Sequence, residues 1–274
     1  MTIDPAAPDN SASPRPWPFA LLAILLALMF NAYSGDFATA LGAKAWFAGI
    51  PYGRSVFLNT ADMVVMLLCF WLIGGVGISR QWRIAGLGRP ILPPLIFGAL
   101  IFVPVTAILF FATQLSSGAG IAEIAFGGVV FPMFEEIVFR GLAIGVLMVR
   151  FRWPFLVAAL IPSLFFGVFH MYQGDSLMES LGIAAITGFG GIWFGWIYWK
   201  WGFNLWPAFL LHAGLNSLWT LFDLGDNAMG GQLGNVMRIA VIIASIILTL
   251  WGRGLIDRLA HQPDSLNSGA GQKV

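Results

Sequence analysis

Three short stretches hold residues whose types and spacing could do chemistry: Glu135-Glu136-x-x-x-Arg140, Phe166-x-x-x-His170 and His212-x-x-x-Asn216. The chain has three histidines and two of them fall here; the third, His261, lies in a polar stretch near the C-terminus. On a helix Glu136 and Arg140 are one turn apart and share a face, a spacing that predicts an ion pair. Glu135 is turned about 100° from that face and is left for another partner. His212 and Asn216 also share one face of their helix. A carboxylate buried among apolar helices suits a general base acting on water. One imidazole can orient that water or relay its proton. A second imidazole and an amide NH₂ can donate hydrogen bonds to a developing oxyanion. No Ser or Cys lies within the three motifs, and Cys69 and Ser163 have no base beside them in sequence, so a covalent nucleophile is not indicated. Water addition to an amide is the reaction that uses every member.

The elements that must position these residues are membrane helices. Of the 274 residues 58% are hydrophobic and 10% charged, less than half the charge of an average soluble domain. That excludes a soluble globular enzyme and a disordered tail protein, and a net charge of +1 leaves no polyanion-binding surface, hence no nucleic-acid partner. A single cysteine excludes an internal disulfide and a cysteine-based metal cage. The expected fold class is all-α, a polytopic membrane helix bundle. Eight apolar stretches reach the length a span needs, at 17–33, 55–78, 92–115, 121–149, 153–172, 177–199, 203–222 and 234–252. The acidic pair Asp4 and Asp9 against Arg15 alone argues for a retained first helix over a cleaved signal peptide. Polar tails are expected at 1–16 and 253–274, and 35–54 reads as an interfacial or re-entrant piece on the outer face.

Eight spans place ten basic residues on one face (Arg15, Arg80, Arg83, Arg89, Arg150, Arg152, Lys200, Arg253, Arg258 and Lys273) and three on the other (Lys44, Arg54 and Arg238). Positive-inside bias then puts both termini in the cytoplasm of what reads as a bacterial inner membrane. Asp36, Asp175, Glu179, Asp223 and Asp226 fall outside. At 1.5 Å per residue from the cytoplasmic ends, Glu135 lies about 22 Å deep, His170 about 26 Å and His212 about 14–17 Å. Ionisable groups at such depth cost roughly 2.5–3.5 kcal/mol each unless paired, so each is a functional hypothesis. One buried polar site made by Glu135, His170, His212 and Asn216, with Glu136–Arg140 beside it, is expected.

Taken in this order on three hydrophobic segments, the motifs resemble the CAAX protease and bacteriocin-processing (CPBP, or Abi) family. The resemblance covers roughly residues 120–220, so 116–222 reads as the catalytic core of helices four to seven. Residues 17–115 read as three preceding helices and 223–252 as the last one. The resemblance implies an intramembrane endopeptidase acting on a membrane-associated, possibly lipidated, peptide or protein. Carried over by position, Glu135 is the catalytic glutamate and His170 its partner on the water. His212 and Asn216 stabilise the oxyanion, while Glu136, Arg140 and Phe166 support the motif helices. Glutamate-activated water needs no cofactor; Glu135, His170 and His212 could instead form a Glu-His₂ zinc set, a metalloprotease alternative. HExxH, the usual helical two-His zinc motif, is absent. A monomer is the default, since the site closes within one chain.

Other readings compete. The glutamates could be a bracing salt-bridge cluster and the His/Asn pair interhelical glue, as in a scaffold or immunity protein. A proton-coupled carrier would also use intramembrane Glu, His and Arg, but no inverted repeat is visible. Gly141-x-x-x-Gly145 and Gly191-x-x-x-Gly195 fit close helix packing. Trp193, Trp196, Trp199 and Trp201 read as an interfacial belt, and Asp62 as either a packing contact or a cavity-lining group.

Overall fold

A computed structural model describes residues 15–118 and 120–260; residues 1–14 of the tail expected at 1–16, His261 and Lys273 lie outside the described residues. All regular structure there is helical, with no strand among the described residues. The helices are α1 (Trp17–Ala40), α2 (Ala43–Trp46), α3 (Gly53–Leu72), α4 (Ile78–Ala85) and α5 (Leu92–Ala112). A continuous helix α6 over 121–149 follows, then α7 (Phe155–Phe169), α8 (Leu177–Lys200), α9 (Trp206–Phe222) and α10 (Gln232–Ala260). Six of these, α1, α3, α5, α7 (with its extension to Gln173), α8 and α10, are long and apolar enough to cross a membrane. Their outward faces remain apolar: Phe111 is 89% exposed and Leu156 69%, a surface that suits lipid and not water. The protein is an integral, multi-pass membrane protein.

α6 is not a uniform α-helix. Wide π-helical turns over Ile124–Val130 and Glu136–Ile144 alternate with α-helical ones. Such i→i+5 turns are rare in helices and cluster at functional sites. The second one carries Glu136 and Arg140, and every residue of it is buried.

Small residues let the helices around α6 approach. A Cβ on Gly141 would lie 2.9 Å from the Ala85 Cβ, and one on Gly145 would lie 2.6 Å from the Tyr198 hydroxyl. α7 and α8 close on each other at Gly167, where a Cβ would sit 2.4 Å from the Ala184 carbonyl oxygen, and at Gly191, against Ser163 Oγ at 2.7 Å. α9 meets α6 at Gly128, under Ser217. Both expected Gly-x-x-x-Gly pairs are therefore helix contacts.

Hydrogen bonds sort the connections into two ends. At one end Arg15 Nη1 donates to the Leu72 and Ile73 carbonyls at 2.9 Å, Asn204 Nδ2 to Pro90 O at 2.9 Å, and Arg253 Nη1 to Lys200 O at 3.0 Å. At the other, the Ser116 amide donates to Leu221 O at 2.8 Å, the Ala228 amide to Gln173 Oε1 at 3.3 Å, and Asn227 Nδ2 to Glu179 Oε1 at 2.7 Å. Glu179 also closes a capping box at the start of α8, where its amide donates to Ser176 Oγ and its Oε2 accepts from the Asp175 amide.

Three expectations change. α1 does not stop at 33 but runs to Ala40, so only the stretch around α2 links it to α3. The last helix continues through Arg253–Ala260 with Ile256 fully buried, where a loose tail was expected. Trp193 and Trp201 are not belt residues. Each is at most 6% exposed, and their indole N–H groups donate to Ser245 Oγ and Thr249 Oγ1 on α10, both at 3.1 Å. One on α8 and one at its C-cap, the two indoles point at the last helix, which offers a hydroxyl to each. Asp62 is a packing contact, accepting from Asn31 Nδ2 at 2.6 Å across α1 and α3.

Candidate active site

The middle of α6 brings two adjacent carboxylates into different surroundings. Glu136 is fully buried, and its Oε1 lies 3.0 Å from Arg140 Nη1, the expected one-turn ion pair. Arg140 is itself fully buried, its guanidinium 4.6 Å from the Phe166 ring centroid and 5.3 Å from that of Phe194. Two ring faces cover a charge that water cannot reach, which lowers the cost of holding it there.

α9 delivers His212 onto both glutamates. Its Nδ1 is 2.8 Å from Glu136 Oε1 and its Nε2 is 3.6 Å from Glu135 Oε2. The ring stacks on Phe194 at 5.2 Å and meets the edge of Phe166 at 6.3 Å. Against an ionised carboxylate Nδ1 must be the donor, which leaves Nε2 as the atom turned to Glu135. At 3.6 Å that second contact is too long for a direct hydrogen bond and is a distance a water can bridge. Glu135 is the more accessible carboxylate, its side chain 26% exposed.

His170 sits at the C-terminal end of α7, its Nδ1 2.7 Å from the Phe166 carbonyl oxygen one turn back. A carbonyl only accepts, so Nδ1–H donates and the neutral ring keeps its lone pair on Nε2. The Phe166 ring lies tilted beside the same imidazole, centroids 4.5 Å apart. One phenyl ring therefore touches Arg140, His170 and His212. Asn216, a turn beyond His212, donates from Nδ2 to Gly127 O at 3.3 Å, which leaves its second amide N–H for another acceptor.

Glu135, His170, His212 and Asn216 line one cavity of about 1060 Å³, together with Phe166 and Phe194. The volume is ample for a peptide segment. Arg140 and Glu136 lie behind this wall. Sequence reasoning missed Phe194, which stacks on His212 and covers Arg140. Among 24 phenylalanines nothing in its local pattern marks it, apart from Gly191 and Gly195 flanking it on α8. Among the described residues no group of three His, Cys, Asp or Glu side chains converges as a metal cage.

Residues 116–218 match the family model described as Type II CAAX prenyl endopeptidase Rce1-like. Over this segment the chain is similar to that Rce1-like family. The match begins in the connection before α6 and ends in α9, so it takes in all three motifs together with Phe194. Comparison with curated proteins found no match, and comparison with solved structures found none. That similarity implies, at the coarse level, a membrane-embedded hydrolase of the protease class.

Proposed function

We propose that the protein is an intramembrane endopeptidase in which Glu135 activates a water for attack on a peptide bond. The reading rests on one observation above the others. An accessible carboxylate, Glu135, faces His212 Nε2 across a gap of 3.6 Å inside a cavity that His170 and Asn216 also line. The expectation of eight spans belongs to the same proposal, with α6 and α9 crossing the bilayer beside the six longer apolar helices.

The residues take the following parts. Water between Glu135 and His170 Nε2 gives its proton to Glu135 as its oxygen attacks the scissile carbonyl carbon. The tetrahedral oxyanion accepts hydrogen bonds from the uncommitted Asn216 N–H and from His212 Nε2–H. With Nδ1–H committed to Glu136, a second hydrogen bond from Nε2 uses the doubly protonated ring, in which both nitrogens donate. Glu135 then passes its proton to the leaving amine, which closes the cycle with one water consumed. Glu136 holds His212 in register through Nδ1, and Arg140 holds Glu136. Phe166 and Phe194 fix all three rings and charges in place.

The substrate class is a membrane-associated or lipidated peptide or protein, and the active unit is a single chain. Cleavage of a panel of quenched prenyl-peptides and lipopeptides by purified protein in nanodiscs tests the reading. Wild type should cleave at least one of them, with and without a strong chelator, while Glu135→Gln and His170→Ala should not. Cleavage equal in the variants overturns the site assignment. Cleavage lost to the chelator and restored by zinc replaces activated water with a metal.

A further inference from the structure

The cavity runs from the polar cluster to one end of the bundle, and the chain segments there carry a signature of their own. Beyond the catalytic wall it is lined by Ser116 and Gly118 after α5, Gln173 after α7, and Asp223, Asp226 and Asn227 after α9. These are the connections that the second set of end-to-end hydrogen bonds ties together. None belongs to the opposite end, where Arg15, the α3–α5 connection with Arg80, Arg83 and Arg89, Lys200 and Arg253 gather. The mouth thus opens at the end poor in basic residues. Its rim presents exposed carboxylates at Glu123, Asp223 and Asp226. Among the described residues the one cation lining the cavity, Arg238, stacks on Trp219 at 4.5 Å and donates to Ala228 O at 2.7 Å, so it braces the rim more than it offsets it.

We infer that the site takes its substrate from the non-cytoplasmic side of the membrane, and that the substrate is a membrane-anchored peptide segment with a cationic flank. The inference rests on the proposed proteolysis for its chemistry, but its sidedness comes from charge and geometry alone. Basic connections stay cytoplasmic, and the mouth is at the other end. A prenylated tail displayed in the cytoplasm would meet the arginine-rich end, which contributes no residue to the cavity lining. A carboxylate rim raises the local concentration of cationic segments and repels anionic ones.

Two measurements test this, and they fail separately. Cys69 is the only cysteine, so a Cys69→Ser background carrying either Ser117→Cys, exposed beside the mouth, or Ser79→Cys, exposed on α4 at the basic end, gives one labelling site per end. Intact spheroplasts of a bacterial host should label Ser117→Cys with a membrane-impermeant maleimide and should label Ser79→Cys only after permeabilisation. Any other pattern overturns the sidedness, whether or not the protein is a protease. The second measurement follows an impermeant quenched peptide with a Lys-Arg flank in sealed vesicles. Right-side-out vesicles should cleave it, and inverted vesicles should do so only once detergent opens them; cleavage by sealed inverted vesicles overturns the inference. Replacing the flank by Glu-Asp should lower kcat/KM about ten-fold at low salt, a gap that closes at high salt. An equal rate for both flanks removes the cationic part. Absence of cleavage even in detergent, with the expected labelling, strikes the protease reading and leaves the sidedness standing.

Discussion

Removing Arg140 is the perturbation whose cost the structure states most directly. Glu136 and Arg140 are both fully buried, 3.0 Å apart, with the guanidinium between the Phe166 and Phe194 rings. Arg140→Met keeps the length of the side chain and deletes its charge. It strands Glu136 with His212 as its remaining partner, and breaking a buried pair on one side costs about 3–5 kcal/mol. Loss of a desolvated cation between two aromatic faces adds up to about 2 kcal/mol. At about 2–4 °C per kcal/mol for a chain of this class, the apparent Tm in detergent should fall by roughly 10 °C or more. The diagnostic is the double variant. Glu136→Gln in the Arg140→Met background removes the stranded charge, so the pair should recover at least about 2 kcal/mol relative to Arg140→Met alone. Scanning fluorimetry of wild type, both single variants and the double variant completes the cycle. An Arg140→Met protein within about 1 kcal/mol of wild type, or a double variant no better than Arg140→Met, would refute the claim that this pair is a dry, coupled brace.

Further outcomes follow from the same geometry. Glu135→Gln should abolish cleavage while shifting Tm by no more than about 2–4 °C, because Glu135 is partly accessible and its 3.6 Å contact to His212 contributes little to stability. Thermal unfolding measured alongside product formation separates the two effects. Gly167→Val should push α7 from α8, since even a Cβ would sit 2.4 Å from Ala184 O. An overpacking cost of about 1–3 kcal/mol should appear in Tm, and activity should fall with it because His170 ends the same helix. Trp193→Phe should cost about 1 kcal/mol through the lost Ser245 hydrogen bond and leave kcat within a few-fold.

The helical, membrane-embedded character was legible because a bilayer demands long apolar runs, and composition alone reveals them. The Glu136–Arg140 pair was legible from one-turn spacing, and the structure keeps it even though that turn is π-helical. What spacing could not give was the second partner of Glu136, His212. Two ring nitrogens let His212 reach both glutamates at once, and that depends on how α9 crosses α6 at Gly128, a tertiary fact. Trp193 and Trp201 were misread for a related reason. A tryptophan beside a basic connection looks interfacial until the hydroxyls of Ser245 and Thr249, far along the chain, turn out to receive its N–H. Phe194 shows the limit most plainly, since its value lies in what it covers. The longer first and last helices were hidden by polar residues that tolerate a helix as well as a loop.

Mass spectrometry of a cleaved peptide after turnover in H₂¹⁸O tests the central claim most directly. Wild-type protein should place one ¹⁸O in the new C-terminal carboxylate from the first turnover, with chelator present, and Glu135→Gln should yield no product. Product released by Glu135→Gln at the wild-type rate, or a first turnover that transfers the acyl group without ¹⁸O, would contradict glutamate-activated water.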